Sequence, residues 1–196
     1  MLRRRAFLAT AAAFGLMAPL SARAALPGDI VQQVERYLNN IETLRAKFTQ
    51  IAPNGRLSEG RVYLHRPGRM RFEYDPPETL LMVATDWRVV MQDTRTRQTN
   101  TIPVNRTPLG LLLDERVQLS GPVTIRDMAE IGGELHMTLF KTEEPGLGEL
   151  QLVFGLRPLE LRRWQVLDAQ GKVTQILLED VETNVRLQRN LFTLIQ

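Results

Sequence analysis

Cysteine is absent from the 196-residue sequence, and histidine occurs only at positions 65 and 136. Without cysteine the chain can form no disulfide, offers no thiol nucleophile and supplies no thiolate to a metal. His65 and His136 each lie in a predicted strand on the side opposite the apolar residues, where a solvated role is expected. The sequence also lacks a Gly-x-Ser-x-Gly elbow and any His, Asp or Glu cluster at metal-ligand spacing. These absences favour a protein that is not an enzyme and uses no cofactor or metal.

Long uninterrupted apolar stretches are also missing, and the longest apolar-rich run has the features of an export signal. Three arginines near the start precede this run, and Ala22 and Ala24 after it fit a small-x-small cleavage site. The run is too short and too mild for a stable membrane span. We therefore predict a cleaved export signal over residues 1–24, a single domain over residues 25–196, and a periplasmic location. Arg4-Arg5 also fits the twin-arginine pattern, which leaves the export route open.

A strong excess of either charge is missing once the predicted signal is set aside. The whole sequence has 25 basic and 22 acidic side chains, but four arginines lie in the signal, leaving 21 against 22. A nearly neutral chain has no electrostatic reason to bind nucleic acid. The remaining roughly 172 residues are enough for one domain with a sizeable core.

The segment after the signal has the pattern of an amphipathic helix. Ile30, Val34, Leu38 and Ile41 recur at spacings of three and four residues, and Asp29 is a candidate N-cap. The pattern predicts a helix of about four turns.

Beyond this helix, short apolar-rich runs alternate with turn signals such as Pro53-Asn54-Gly55 and Asp75-Pro76-Pro77. Evenly spaced runs of this kind predict a mainly β fold of the α+β class, with about 10–11 antiparallel strands curled toward a barrel. The predicted strands are 45–50, 61–66, 69–74, 80–84, 88–92, 98–102, 135–140, 150–154, 159–167 and 173–179.

One apolar segment, residues 107–114, interrupts the series of strands. Thr107 is a candidate cap, and a proline at the first helical position followed by leucines predicts a short helix. Such a helix either plugs the open end of a barrel as part of the core or forms a movable lid over a lipid-sized cavity. The candidate lid residues are Pro108, Leu109, Leu111, Leu112 and Leu113.

Arg66 is the most unusual charge in the sequence. Alternate residues of a strand point to the same side, so Val62, Leu64 and Arg66 share one face of predicted strand 61–66. A guanidinium in an apolar setting is costly unless it is hydrogen-bonded. The sequence therefore predicts either a specific acceptor facing Arg66 or an interior that opens to water.

The predicted strands also supply apolar side chains of varied shape that are candidates for lining a cavity. Methionine adapts to ligands of irregular shape, as a pocket for acyl chains would require. The same stripe of methionine and aromatic residues is equally compatible with an ordinary core. The candidates are Val62, Leu64, Met70, Phe72, Tyr74, Met82, Trp87, Val89, Met91, Met137, Leu139, Leu152 and Phe154.

Several short motifs follow one another in a defined order along the chain. They are the export signal, the amphipathic helix, Phe48-Thr49-Gln50, Gly60 before a strand, Arg66-Pro67, Phe72-Glu73-Tyr74, Pro76-Pro77, Asp86-Trp87 and the leucine-rich segment after Pro108. This ordered set resembles the outer-membrane lipoprotein carrier proteins of the bacterial periplasm. The resemblance is densest over residues 48–113.

The resemblance implies an unclosed β-barrel with a helical lid over a hydrophobic cavity. It also implies a monomer that receives acylated lipoproteins from an inner-membrane exporter and passes them to an outer-membrane receptor. In that family an arginine at the position of Arg66 bonds backbone carbonyls of the lid, here around residues 109–113, and latches it shut. A lipid-binding or lipoprotein-sensing regulatory protein of the same fold is the alternative.

Overall fold

Eleven antiparallel strands in one sheet dominate the computed structural model, which describes residues 29–194. The predicted export signal, residues 1–24, lies outside the described residues. The strands are β1 Thr43–Ile51, β2 Leu57–His65, β3 Arg69–Tyr74, β4 Leu80–Thr85, β5 Arg88–Asp93, β6 Thr99–Pro103, β7 Val123–Ile131, β8 Glu134–Lys141, β9 Gly148–Leu156, β10 Leu159–Asp168 and β11 Val173–Thr183.

The order of strands in the sheet is β6-β5-β4-β3-β2-β1-β11-β10-β9-β8-β7. Every neighbouring pair is also consecutive in the chain except β1 and β11, which join the two halves of the sheet at its centre. Within residues 29–194, β6 and β7 are the two edges and do not pair with each other, so the barrel is not closed. The prediction of an unclosed antiparallel barrel of 10–11 strands is confirmed.

Two short α-helices and three 3₁₀ turns complete the described chain. The helices are α1, Ile30–Asn39, and α2, Gly110–Leu113. The 3₁₀ turns are Val104–Arg106, Pro145–Leu147 and Arg189–Phe192. No helix within residues 29–194 is long and apolar enough to cross a membrane.

The face of the sheet on which α1 and α2 lie, here called the inner face, carries the main core. α1 buries Ile30, Val34 and Leu38 against it. Tyr37 of α1 packs edge-on against Phe154, with ring centroids 5.9 Å apart. The amphipathic pattern in the sequence therefore identified the buried side of α1.

α1 is shorter than the sequence predicted. It has ten residues, and Ile41 is buried beyond its end because the chain turns there into β1. Asp29 also differs from its predicted role as N-cap. Its carboxylate accepts a hydrogen bond from the side chain of Gln33 at 2.9 Å, and within the described residues it makes no capping bond to the backbone of α1.

The ten predicted strands are all present, most of them a residue or more longer than predicted. β7 is the strand that the sequence did not reveal. Its register shifts between Ile125 and Asp127, which interrupts the alternation of apolar and polar residues on which the prediction depends. β7 is also an edge strand with few buried side chains.

Gly60 marks a close approach between β2 and β3. It lies in β2, and a Cβ atom at this position would come within 1.9 Å of the carbonyl oxygen of Glu73 on β3. A ring carbon of Phe48 would lie 3.0 Å from that added Cβ atom. Only glycine permits this approach, and it allows Phe48 to stack edge-on against Phe72, with ring centroids 5.1 Å apart.

A second, smaller core lies on the opposite, outer face of the sheet. Residues 187–194, here called the outer segment, place Phe192 against Leu81 and Val83 of β4. Arg71 of β3 donates hydrogen bonds to the backbone carbonyls of Leu191 at 2.9 Å and Thr193 at 2.8 Å. The outer segment is thus fastened to the sheet by both apolar packing and a charged donor.

Candidate functional site

The chain between β6 and β7 crosses the inner face and fills it with leucines. Residues 104–113, here called the lid segment, contain the 3₁₀ turn and α2. Leu111, Leu112 and Leu113 are between 2% and 6% exposed, and Leu109 packs partly buried against the same core. The predicted short helix is therefore present, with its leucines turned inward.

The start of this helix differs in detail from the sequence-based expectation. Thr107 does not cap α2, because its hydroxyl donates to the carbonyl of Val104 at 2.9 Å and so closes the preceding 3₁₀ turn. The backbone N–H of Gly110 donates to the carbonyl of Thr107, and that of Leu111 to the carbonyl of Pro108. The lid segment consequently enters α2 through tight turns of the 3₁₀ type.

Both ends of the lid segment are hydrogen-bonded to turns that connect strands of the sheet. The N–H of Val104 donates to the carbonyl of Trp87, in the β4–β5 turn, at 2.9 Å. The N–H of Gly68, in the β2–β3 turn, donates to the carbonyl of Leu113 at 2.8 Å. Lys141 of β8 adds an exposed side-chain bond of 2.5 Å to the carbonyl of Asn105.

The chain just after the lid segment is fastened to α1. The side-chain amide of Asn39 both donates to the carbonyl of Val117 and accepts from its N–H, each at 2.9 Å. Glu35 accepts from the N–H of Leu119 at 2.7 Å. Val117 and Leu119 are buried, so this attachment is a fixed point beside the lid segment. Periodicity did not reveal Asn39 and Glu35, because both lie off the apolar stripe of α1.

Arg66 is buried, as its position on the apolar face of predicted strand 61–66 implied, and it is 7% exposed. It follows the last residue of β2 directly, and its backbone N–H donates to the carbonyl of Glu42 at 2.9 Å. Its guanidinium Nη2 donates to the carbonyl of Leu38 in the last turn of α1. Of the two alternatives that the sequence left open for Arg66, the structure shows the specific acceptor.

The identity of that acceptor corrects an expectation. The resemblance implied carbonyls of residues 109–113, whereas the guanidinium bond runs to Leu38 of α1. The C-terminal end of a helix carries partial negative charge, which suits a buried cation. Burial lowers the pKa of Arg66, and the negative charge of Asp114 opposes this shift. The Nε atom of Arg66 is buried without a hydrogen-bond partner among the described residues.

An apolar cavity of about 80 Å³ remains between the lid segment and strands β3–β6. Two lid leucines, Leu109 and Leu113, form one wall. The other lining residues are Met70, Phe72, Met82, Ala84, Val89, Met91, Ile102 and Thr107. Pockets that hold drug-sized ligands usually measure about 300 Å³ or more, so the closed interior has no room for a lipid chain.

Eleven of the thirteen predicted cavity residues fall into three groups. Met70, Phe72, Met82, Val89 and Met91 line the cavity just described. Leu139 lines a much smaller void of about 10 Å³ beside Pro108 and Leu111 of the lid segment. The buried core around these spaces contains Val62, Leu64, Met137, Leu152 and Phe154.

Tyr74 lies at the margin of this core with its hydroxyl satisfied. Its Oη atom donates to the side-chain oxygen of Gln50 at 2.7 Å, and burial raises the pKa of Tyr74 to about 12. The phenol is therefore neutral at physiological pH and acts as a hydrogen-bond donor.

Trp87 does not line the cavity, and its predicted place there is wrong. Its side chain is half exposed, at 53%. The reason is that β5 begins at Arg88, so Trp87 belongs to the β4–β5 turn and does not share the face of Val89 and Met91.

The family model described as outer membrane lipoprotein carrier protein LolA matches residues 39–195. The chain belongs to this family. An outer-membrane lipoprotein carrier protein of Methylococcus capsulatus is 29% identical over 169 residues, covering 82% of this chain and 80% of that protein. One from Pseudomonas aeruginosa is 30% identical over 173 residues, covering 83% and 82%.

A solved structure of similar fold supports the architecture. It is a putative outer membrane lipoprotein-sorting protein domain from Vibrio parahaemolyticus, with a TM-score of 0.52 and 10% identity. The match covers 83% of this chain and 94% of that domain. At this low identity the likeness concerns the fold alone.

Proposed function

We propose that this protein is a non-enzymatic periplasmic carrier that shields the acyl chains of lipoproteins and delivers them from the inner to the outer membrane. The observation that carries the proposal is the lid segment: buried leucines fill the inner face of an unclosed sheet, yet they belong to no strand. Displacing these leucines would open an apolar space that acyl chains can occupy.

Exchange of leucines for acyl chains is energetically reasonable. Each buried leucine contributes about 1.5–3 kcal/mol relative to an exposed one, so an empty protein favours the closed state. A buried acyl chain contributes about 0.8 kcal/mol per methylene, which for a 16-carbon chain is roughly 12 kcal/mol. Cargo therefore compensates for the exposure of the lid leucines, and closure of the lid segment assists cargo release.

Arg66 has an indirect part in this proposal. Its guanidinium fixes the end of α1, and its backbone belongs to the turn whose Gly68 holds Leu113. Through that turn Arg66 would stabilise the closed lid without bonding the lid carbonyls itself. The proposed handover partners are an inner-membrane exporter and an outer-membrane receptor, and the carrier acts as a monomer.

The decisive experiment is native mass spectrometry of the protein isolated from periplasm, before and after delipidation. A carrier should show a population whose added mass equals an acylated lipoprotein or lipid and which delipidation removes. A bare mass in both samples would contradict the proposal. Association with the periplasmic part of a membrane regulator, without acyl cargo, would instead favour the sensing alternative.

A further inference from the structure

The β4–β5 turn contains a tryptophan in a backbone conformation that tryptophan rarely adopts. Its two central residues, Asp86 and Trp87, have φ angles of 48° and 57°. A two-residue turn with both φ values positive normally uses asparagine or glycine, because side chains with a Cβ atom are strained there. A bulky, half-exposed side chain at such a position suggests a role that outweighs the strain.

The ring of Trp87 reaches across to the neighbouring turn. A Cβ atom at Gly68, in the β2–β3 turn, would lie 3.8 Å from Cε2 and 3.9 Å from Cζ2 of the indole. The six-membered ring therefore lies over the position that a side chain at Gly68 would occupy, so Trp87 of one turn covers the neighbouring turn at one end of the sheet.

These two turns are the ones that hold the ends of the lid segment. The carbonyl of Trp87 accepts from Val104 at the start of the segment, and the N–H of Gly68 donates to Leu113 at its end. A relative movement of the two turns would break one of these bonds. The ring, which lies over Gly68, opposes such a movement.

We propose that Trp87 is a positioning residue for the lid segment, whose ring ties the two turns together so that both ends of the segment are held at a fixed spacing. The inference rests on the proposed function only in treating residues 104–113 as a lid. Loss of the ring should make this segment open more often while the sheet remains intact.

The test is hydrogen exchange resolved to single amides in Trp87→Gly and in a matched control, Asp86→Gly. Glycine suits the positive φ at either position, so both variants relax the turn, but only Trp87→Gly removes the ring. We expect the amides of Gly68 and Val104 to exchange about 5–30-fold faster in Trp87→Gly, and at the original rate in Asp86→Gly. Amides of the central β1–β11 pair should be unaffected in both.

A second variant, Trp87→Phe, keeps an aromatic ring and should restore much of the protection. Equal exchange rates at Gly68 and Val104 in both glycine variants would overturn the proposal. So would faster exchange throughout the sheet in Trp87→Gly, because that would indicate a general loss of stability.

Uptake of a fluorescent acyl probe, measured in parallel, separates this inference from the proposed function. Faster uptake by Trp87→Gly than by Asp86→Gly supports the positioning role. Failure of the unaltered protein to take up the probe would count against the carrier function, while the exchange result would still decide the role of Trp87.

Discussion

The lid segment and the outer segment each cover an apolar part of the same sheet, but they are held in different ways. The outer segment inserts Phe192 between side chains of β4 and receives two hydrogen bonds from Arg71, whose side chain is 11% exposed. The lid segment inserts leucines beside a cavity and is hydrogen-bonded to the sheet by neutral backbone groups and by one solvent-exposed bond from the side chain of Lys141.

The strengths of these bonds differ accordingly. Hydrogen bonds from a charged donor contribute about 1.5–3 kcal/mol, compared with about 0.5–1.5 kcal/mol for neutral pairs, and exposure to solvent weakens a charged bond further. The comparison predicts that the outer segment is a permanent cover, whereas the lid segment, under the proposed function, is displaced when cargo compensates for the exposure of its leucines.

The largest expected effect is a difference in the free energy of unfolding between a variant of the outer segment and a variant of the lid segment. Phe192→Ala should lower the free energy of unfolding by about 3–5 kcal/mol, as for other phenylalanines truncated in a core. Leu112→Ala should lower it by only about 2 kcal/mol, because the loss is limited by the free energy that keeps the lid shut. Urea denaturation of both variants measures these values.

Lipid loading completes this comparison. Phe192→Ala, once folded, should load an acyl probe normally, because the outer segment lies on the face opposite the cavity. Leu112→Ala should load faster. Equal losses of stability with equal loading would show that the two covers do not differ.

Arg66, which is buried, and Arg71, which is largely buried, provide the next test. Arg71→Leu should lower the free energy of unfolding by about 2 kcal/mol, because two carbonyls lose a charged donor, and transfer of cargo should stay normal. Arg66→Leu should change stability by less, about 1 kcal/mol, since the removed guanidinium was costly to bury. This variant should load cargo but pass it poorly to an acceptor, as measured with a labelled lipoprotein and acceptor membranes.

Normal transfer by Arg66→Leu would contradict a latch role for this arginine. Arg71→Leu is the matched control, because it removes a guanidinium of similar burial from the outer face of the same half of the sheet. A transfer defect in both variants would mean that loss of stability alone explains the result.

The parts of the fold that could be predicted from the sequence are those in which apolar residues recur at a regular spacing. α1 and strands such as β2 and β3 repeat apolar residues at the spacing of a helix or of a strand, and burial follows that spacing. β7 was missed because a register shift interrupts its alternation. Trp87 was misplaced because a turn ends the alternation one residue before β5.

Contacts between distant segments could not be predicted in the same way. The burial of Arg66 followed from its place in predicted strand 61–66, but its acceptor, Leu38, is set by how α1 lies on the sheet. Asn39 and Glu35 look like ordinary polar residues of a helix until the chain after the lid segment is seen beside them. A local pattern shows which groups need partners, and only the tertiary structure shows which partners they have.

The smallest expected effect concerns the fixed point beside the lid segment. Asn39→Ala removes both bonds to Val117 and should lower the free energy of unfolding by only about 1 kcal/mol, since the site is close to solvent. Its effect on movement should be local: the Val117 amide should exchange about fivefold faster, which corresponds to that energy. Gln32→Ala, a substitution of an exposed residue on the same helix, is the control and should leave the exchange rate of this amide unchanged.

If the lid segment pivots about this point, acyl release from Asn39→Ala should become slower, because the displaced segment returns less directly to its closed position. Unchanged release together with faster exchange at Val117 would show that the attachment stabilises α1 without guiding the lid.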